Sequence, residues 1–85
     1  MPDLSKAVIT EHAAGQLAKR LISEVDLRAV LESPGQVAPV RAGRVVAQSI
    51  IAGHLLRVFV DVDREPPEVV TAYRTSKINR YWSSS

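Results

Sequence analysis

The chain has 85 residues, of which 46% are hydrophobic and 24% charged, and its formal net charge is +2. This size and composition predict one globular domain over 1–85 with a frayed tail at 83–85, and exclude a disordered chain. The absence of cysteine excludes disulfides and thiolate metal sites, and no apolar run approaches the ~18 residues of a membrane span, so we expect a soluble, cytoplasmic protein.

Charged residues are unevenly distributed along the chain. No Asp or Glu lies between residues 32 and 61 or after residue 68, and the basic residues Arg41, Arg44, Arg57, Arg74, Lys77 and Arg80 fall in these two stretches. A one-sided cationic surface attracts polyanions such as RNA or DNA. The distribution therefore indicates a class of partner, but not yet a reaction.

The first 35 residues predict two helices. Residues 6–10 form a short apolar run that fits a first strand or an extended lead-in, and Thr10 precedes a helix over 11–20. The buried stripe of this helix is predicted at Ala13, Leu17 and Leu21. Ser23 caps a second helix, which ends at residues 33–35 and has an apolar face formed by Val25, Leu27, Val30 and Leu31.

From residue 36 onward the composition predicts strands. A short strand over 36–40 belongs at a sheet edge because Pro39 has no N–H for a ladder. Strands over 44–51 and 54–62 are joined by the two-residue turn Ala52-Gly53, and a last strand covers 68–73. Residues 75–82 fit a closing helical turn or an ordered tail. This order predicts an α+β domain of two layers, with two N-terminal helices packed on a three- to four-stranded antiparallel sheet.

The hairpin turn assigns side chains to two faces of the sheet. Alternation places a mostly apolar set toward the helices, namely Val45, Ala47, Ser49, Ile51, His54, Leu56, Val58 and Val60. The opposite face, which we call the outer face, receives Arg44, Gln48 and Arg57, with Gln48 opposite Arg57. If Val70 and Ala72 of the last strand enter the core, Val69, Thr71 and Tyr73 join the outer face.

Two interpretations of the outer face remain open. Long polar side chains decorate many solvated sheet faces, which explains the pattern without any function. A cluster of Arg without an adjacent acid instead favours phosphate, because the planar guanidinium matches its oxygens with parallel hydrogen bonds. The acidic run between residues 61 and 68 lacks calcium-loop spacing and predicts a solvated turn.

Spaced residues and one closing motif resemble a known bacterial family. They are His12, Lys19-Arg20-Leu-Ile-Ser23, Val30-Leu31, Pro34, Gly43-Arg44, Leu56-Arg57-Val58, Tyr81-Trp82 and, most specifically, Val70-Thr-Ala-Tyr-Arg-Thr-Ser-Lys77. Together they are similar to the domain-of-unknown-function 4258 family over roughly residues 9–82. Leu21 replaces the family's usual Gly, which argues against a left-handed turn between the helices. The layout is similar to RelE-like and BrnT-like toxins, and this resemblance implies a metal-independent ribonuclease with its site on the outer face and tail.

The outer face and the resemblance together suggest site residues. Metal-free RNA cleavage needs a base, a cation and an acid, and the candidate catalytic residues are Arg57, Tyr73, Lys77 and His12. Expected RNA contacts are Arg44, Gln48, Thr71, Arg74, Arg80 and Tyr81. Structural alternatives exist for each: His12 can be a hydrogen-bonding helix residue, Tyr73 a cover for the sheet edge, and Lys77 and Arg80 solubility charges. His54 is expected on the core side, and Trp82 is expected to anchor the tail.

Two functions from different classes follow from these residues. The first is an RNA-directed, toxin-like endoribonuclease that acts on free or ribosomal RNA and is neutralised by an antitoxin-like protein. The second is a non-catalytic module that binds nucleic acid or protein through the same face. No cofactor or metal is expected, since phosphate-binding Gly loops, nucleophile motifs and zinc spacings are absent. The oligomeric state, monomer or homodimer, stays open.

Overall fold

The computed structural model describes residues 3–83. A 3-10 turn at Leu4–Lys6 leads into three helices and five strands. The helices are α1 (Glu11–Lys19), α2 (Glu24–Glu32) and α3 (Ile78–Tyr81); the strands are β1 (Val8–Ile9), β2 (Gln36–Arg41), β3 (Arg44–Ile51), β4 (His54–Asp61) and β5 (Glu68–Thr75).

One mixed sheet in the order β1-β5-β4-β3-β2 forms the centre of the domain. Strands β2 to β5 form the predicted antiparallel meander, whereas β1 pairs in parallel with β5. The prediction of an α+β class is confirmed, but the expected three to four antiparallel strands are wrong because the apolar lead-in adds a fifth. Thr10 follows β1 directly and its hydroxyl donates to the Val69 carbonyl at 3.0 Å, which fastens the start of α1 to β5.

The two long helices begin where their caps predict. The hydroxyl oxygens of Thr10 and Ser23 accept the backbone N–H groups three residues ahead, which satisfies donors that a helix start leaves free. Ala13 and Leu17 are buried as predicted. Two of the predicted helix-face residues are instead exposed: Leu21 is 80% exposed and Val25 is 79% exposed.

Leu21 leaves the buried stripe because α1 ends before it. Its φ is +55°, and the Ile22 and Leu21 N–H groups bond the carbonyls of Leu17 and Ala18. This is the 6→1 and 5→2 pattern of a Schellman ending, which needs a left-handed residue at this place. The left-handed turn that the Leu argued against therefore forms, and Ile22 enters the core in place of Leu21.

The hairpin register is the predicted one. Gln48 lies opposite Arg57, and both turn residues, Ala52 and Gly53, have positive φ, as a type I′ turn requires. Ala47, Leu56, Val58 and Val60 enter the core under the helices as expected. His54 lies opposite Ile51 as predicted but does not enter the core: it is exposed beside the turn, with its ring 3.3 Å from the Ala52 carbonyl.

An irregularity in β5 changes which of its residues are buried. The register shifts between Phe59 and Val60, so that Phe59 pairs with Thr71 while Val60 pairs with Val69. One extra residue in a strand reverses the alternation on one side of it. Val69 is therefore the core residue, and the placement of Val70 in the core is wrong. The alternation resumes beyond the bulge, where Ala72 is fully buried as predicted.

No helix within residues 3–83 is long and apolar enough to cross a membrane.

Candidate nucleic-acid interface

Arg57 lies at the centre of the outer face, on β4. Its Nε donates to Gln48 Oε1 at 2.9 Å and its Nη1 donates to the Tyr73 hydroxyl at 2.6 Å. Three aromatic rings surround the guanidinium, and that of Tyr81 is nearest at 4.3 Å, followed by Phe59 at 5.5 Å and Tyr73 at 5.7 Å. Cation–π contact and hydrogen bonds thus fix the orientation of the guanidinium before any ligand arrives.

The charge of Arg57 has no carboxylate partner. Every ion pair within residues 3–83 involves Arg44 or Arg64, and neither Nη2 nor the second hydrogen of Arg57 Nη1 has a recorded acceptor. Within residues 3–83, every side-chain nitrogen or oxygen that is shielded from solvent has a hydrogen-bond partner. Nη2 of the half-buried Arg57 has no such partner, and it must therefore be in contact with solvent. The protein therefore holds Nε and one hydrogen of Nη1, and Nη2 is available to an anion.

Gln48 and Gln36 connect Arg57 to the C-terminal segment at 78–83. Gln48 is only 3% exposed, and its amide nitrogen donates to Gln36 Oε1 at 2.9 Å and to the Tyr81 carbonyl at 3.1 Å. The same Gln36 oxygen accepts the Ser83 N–H. Gln48, an expected RNA contact, is thus buried under the tail, and its amide positions Arg57 and Tyr81.

The C-terminal segment makes the outer face less open than alternation predicts, because Tyr81 lies against Arg57 and its carbonyl accepts from Gln48. A Cβ added to Gly35 would stand 2.8 Å from the Trp82 ring, so the tail packs tightly on the start of β2. The outer-face residues Val46 and Leu55 are as buried as the core. A cavity of about 370 Å³ remains beside Tyr81, and its lining includes Gln36 and Pro39 of β2.

Arg44, another expected RNA contact, is paired with an acid. Its Nε and Nη2 donate to the two oxygens of Asp61 at 2.7 and 3.3 Å. This hydrogen bonding holds the pKa of Asp61 below its ordinary value and raises that of Arg44. The expectation of an Arg without a nearby acid is wrong here, although the hairpin register alone places Asp61 opposite Arg44.

His12 belongs to a second polar group, which we call the edge cluster: His12 and Gln16 of α1, Arg20 directly after this helix, and Thr71 of β5. Arg20 Nη1 donates to Thr71 Oγ1 at 3.1 Å, and the Thr71 hydroxyl donates in turn to Gln16 Oε1. The Gln16 amide nitrogen lies 3.2 Å from His12 Nε2. An amide nitrogen only donates, so this ring nitrogen is the acceptor, and the neutral ring carries its proton on Nδ1.

The other candidate residues surround these two groups. Arg74 Nη2 lies 3.4 Å from the Arg20 carbonyl, and the Arg80 guanidinium lies 5.4 Å from the Tyr81 ring. Lys77 is exposed, and its side chain makes no hydrogen bond or ion pair within residues 3–83. Of the four candidate catalytic residues, Arg57 and Tyr73 are thus hydrogen-bonded to each other, and His12 is connected to Thr71 through Gln16. Lys77 is hydrogen-bonded through its side chain to none of them.

Sequence reasoning missed three residues of this surface: Arg20, Gln16 and Gln36. A helical spacing of four separates His12, Gln16 and Arg20, which places them on one side of α1 and is a signal readable in the sequence. The role of Gln36 depends on the path of the tail, which no local pattern specifies. Within residues 3–83 no group of three or more His, Asp or Glu residues could hold a metal ion.

Comparison with protein families shows that residues 9–74 match the domain of unknown function DUF4258. The match includes α1, α2, the meander and the motif up to Arg74. It does not include residues 75–82, which the resemblance seen in the sequence also covers. No significant match is found among curated proteins or among solved structures. Because the family match spans most of the chain, this protein belongs to the DUF4258 family.

Proposed function

We propose that this domain acts on RNA as a metal-independent endoribonuclease, in the manner of the RelE-like toxins whose layout it resembles. The observation that supports the proposal is the Arg57–Tyr73 pair: a guanidinium without a carboxylate partner within residues 3–83, whose Nη1 lies 2.6 Å from a phenol hydroxyl and whose Nη2 has no protein acceptor in that range. A cation that binds phosphate and a group that donates a proton are two of the three components such cleavage requires.

In the proposed step the RNA supplies its own nucleophile. The 2′-hydroxyl attacks the adjacent phosphorus, its proton passes to a base, and the bond from phosphorus to the 5′-oxygen breaks. The Arg57 Nη2 edge binds the non-bridging oxygens as their charge grows. Tyr73 already accepts a hydrogen bond from Arg57, so its own proton is free to go to the departing 5′-oxygen. The products are a 2′,3′-cyclic phosphate and a 5′-hydroxyl.

His12 is the candidate base. Thr71, to which the edge cluster connects it, lies two positions before Tyr73 on β5. Residues two apart on a strand point to the same face, so Thr71, the member of the cluster on β5, points to the side where Tyr73 and Arg57 lie. With its proton on Nδ1, the neutral ring can accept the 2′-hydroxyl proton at Nε2 after the hydrogen bond from the Gln16 amide breaks.

The test is cleavage of a defined single-stranded RNA by the purified protein, with identification of the new ends. We expect cyclic phosphate ends, and a loss of about 10²-fold or more in rate for Tyr73→Phe, which keeps the ring and removes the acid. Arg57→Ala should abolish cleavage, whereas Arg41→Ala, an exposed Arg on the edge strand, should not. No cleavage by correctly folded protein, or equal cleavage by Arg57→Ala, would overturn the proposal.

A second function, RNA binding without cleavage, is favoured by the position of Tyr81. Its ring lies against the guanidinium at 4.3 Å and Gln48 occupies Nε, so a bound phosphate meets only part of Arg57. Tyr81 could instead stack a base beside the cavity of about 370 Å³. In this case a 2′-O-methyl RNA and an unmodified RNA bind equally, both bind less tightly to Arg57→Ala, and the unmodified strand is never consumed.

A protein partner is the remaining part of the proposal. An acidic, antitoxin-like protein would complement the cations that have no carboxylate partner within residues 3–83 and follow one another along β4, β5 and the tail: Arg57, Arg74, Lys77 and Arg80. Co-expression with the product of the neighbouring reading frame should yield a salt-sensitive complex that protects RNA from cleavage. A complex that forms equally well with the Arg57→Ala and Arg74→Ala variants would place the partner elsewhere.

A further inference from the structure

Arg20 is held in place as firmly as Arg57, although it projects from a helix end. Its Nη1 donates to two acceptors on β5, Thr71 Oγ1 at 3.1 Å and the Ala72 carbonyl at 2.8 Å. Both hydrogens of this nitrogen are thereby used. An exposed Arg normally samples many rotamers, and its immobilisation here removes much of the entropy that binding an anion would otherwise cost.

The opposite edge of the Arg20 guanidinium is free. Nε and Nη2 have no acceptor within residues 3–83, no carboxylate in that range lies within 4.0 Å, and the residue is exposed. An Nε–Nη2 edge presents two parallel N–H groups, which is the arrangement that binds two phosphate oxygens at once. Arg20 thus offers its complete Nε–Nη2 edge, whereas Arg57 offers Nη2 beside two nitrogens that the protein already uses.

These two groups are anchored on neighbouring positions of one strand. Arg20 binds Thr71 and Arg57 binds Tyr73, and two residues of a strand span roughly 7 Å. Both anchors lie on the same side of β5, with Phe59 opposite Thr71 and in edge contact with the Tyr73 ring. A phosphate on each guanidinium would therefore be separated by a distance that one nucleotide can bridge.

We propose that Arg20 forms a second phosphate subsite, which binds the phosphate next to the one at Arg57. The inference rests on the proposed RNA-directed function and specifies its ligand: a single strand with at least two consecutive phosphates. Thr71 and Gln16 are positioning residues for this subsite. The Thr71 hydroxyl accepts from Arg20 and donates to Gln16, so it fixes the guanidinium between strand and helix.

The probes that test the subsite are two uncleavable 2′-O-methyl RNAs, one a dinucleotide with a single phosphodiester and the other a tetranucleotide with three. We expect Arg20→Ala to weaken tetranucleotide binding about tenfold and to reduce the salt slope by about 0.7, while dinucleotide binding changes little. Arg57→Ala should weaken binding of both. Arg41→Ala is the matched control, since that Arg is exposed and lies on the edge strand remote from β5.

Two further variants keep the test independent of folding. Arg20→Lys keeps the charge and loses the paired donors, and Thr71→Val keeps the side-chain shape and loses the hydroxyl. Each variant should weaken tetranucleotide binding. An unchanged melting curve shows that the variant is folded. If Arg20→Ala behaves like Arg41→Ala while Arg57 still matters, the subsite is wrong and the proposed function stands. If the unmodified protein binds neither probe, both are wrong.

Discussion

Leu21 occupies a backbone conformation that is unfavourable for every residue except glycine. Its φ of +55° closes the Schellman ending of α1. Because the side chain is 80% exposed, hydrophobic burial offsets little of the free energy that this backbone conformation costs. A left-handed conformation costs a residue with a Cβ roughly 1–2 kcal/mol.

Leu21→Gly should therefore stabilise the domain. Glycine removes the conformational strain at this position, but its greater freedom in the unfolded chain offsets part of that effect. We expect the free energy of unfolding to rise by about 0.5–1 kcal/mol. Urea denaturation measures it, with Leu21→Ala as the control because alanine keeps the strained conformation. A gain of the same size from alanine would show that exposure of the leucine, and not its backbone, is the cause.

Asp61 makes the stability of the domain dependent on acid. The hydrogen bond from Arg44 holds the pKa of this 5% exposed carboxyl below its ordinary value. A carboxyl whose pKa is lower in the folded state contributes stability above the unfolded value of about 3.9 and loses it as the pH falls through the folded value.

Asp61→Asn should thus be less stable than the unmodified protein at neutral pH, and its stability should fall less steeply below roughly pH 4. Denaturation curves at a series of pH values give both results. The control is Asp63→Asn, whose carboxylate is 63% exposed and 3.8 Å from Arg64. Parallel acid profiles for the unmodified protein and Asp61→Asn would contradict the assignment.

Among the elements, the β3–β4 hairpin was the most predictable and the C-terminal segment the least. The Ala52-Gly53 turn fixes the register of the hairpin, and the Gln48–Arg57 contact follows from it. The bulge in β5 has no local signal, because Val69 and Val70 are alike in size and polarity. The Tyr81–Arg57 contact depends on a path set by Gln36 and Gln48, whose partners are distant in sequence.

Gln48 links three elements, so its removal should disturb more than one strand. Gln48→Ala leaves Arg57 Nε without its acceptor and the Tyr81 carbonyl without its donor, and it removes one of the two donors to Gln36 Oε1, which keeps the Ser83 N–H. Loss of partners by buried polar groups costs about 1–3 kcal/mol, and we expect the free energy of unfolding to fall by that amount. Ile50→Ala, on the same strand but 48% exposed, should cost less. Protection of the α3 amides from hydrogen exchange should fall in Gln48→Ala and not in the control.

On the scale of the whole molecule, positive and negative groups occupy opposite ends of β5. Glu68 at its start joins Asp61 and Asp63 around Arg64, with Arg44 in the same network. Arg74 near its end lies against the last turn of α1, with Lys77 beyond it and no acid after Glu68. The net charge of +2 conceals this separation, which makes the end of β5 near Arg74 the positive end of the molecule.

This separation predicts which cations contribute to RNA affinity. Arg74→Ala and Lys77→Ala should each reduce the slope of the logarithm of the binding constant against that of salt by about 0.7, the contribution of one phosphate on a single strand. Lys6→Ala removes the same charge beside β1, next to the acidic turn where the Val8 N–H bonds the Pro67 carbonyl. The salt slope of RNA binding by Lys6→Ala should therefore equal that of the unmodified protein. An equal effect from Lys6 would mean that RNA responds to the net charge of the domain, and the basic end of β5 would then have no special part in binding.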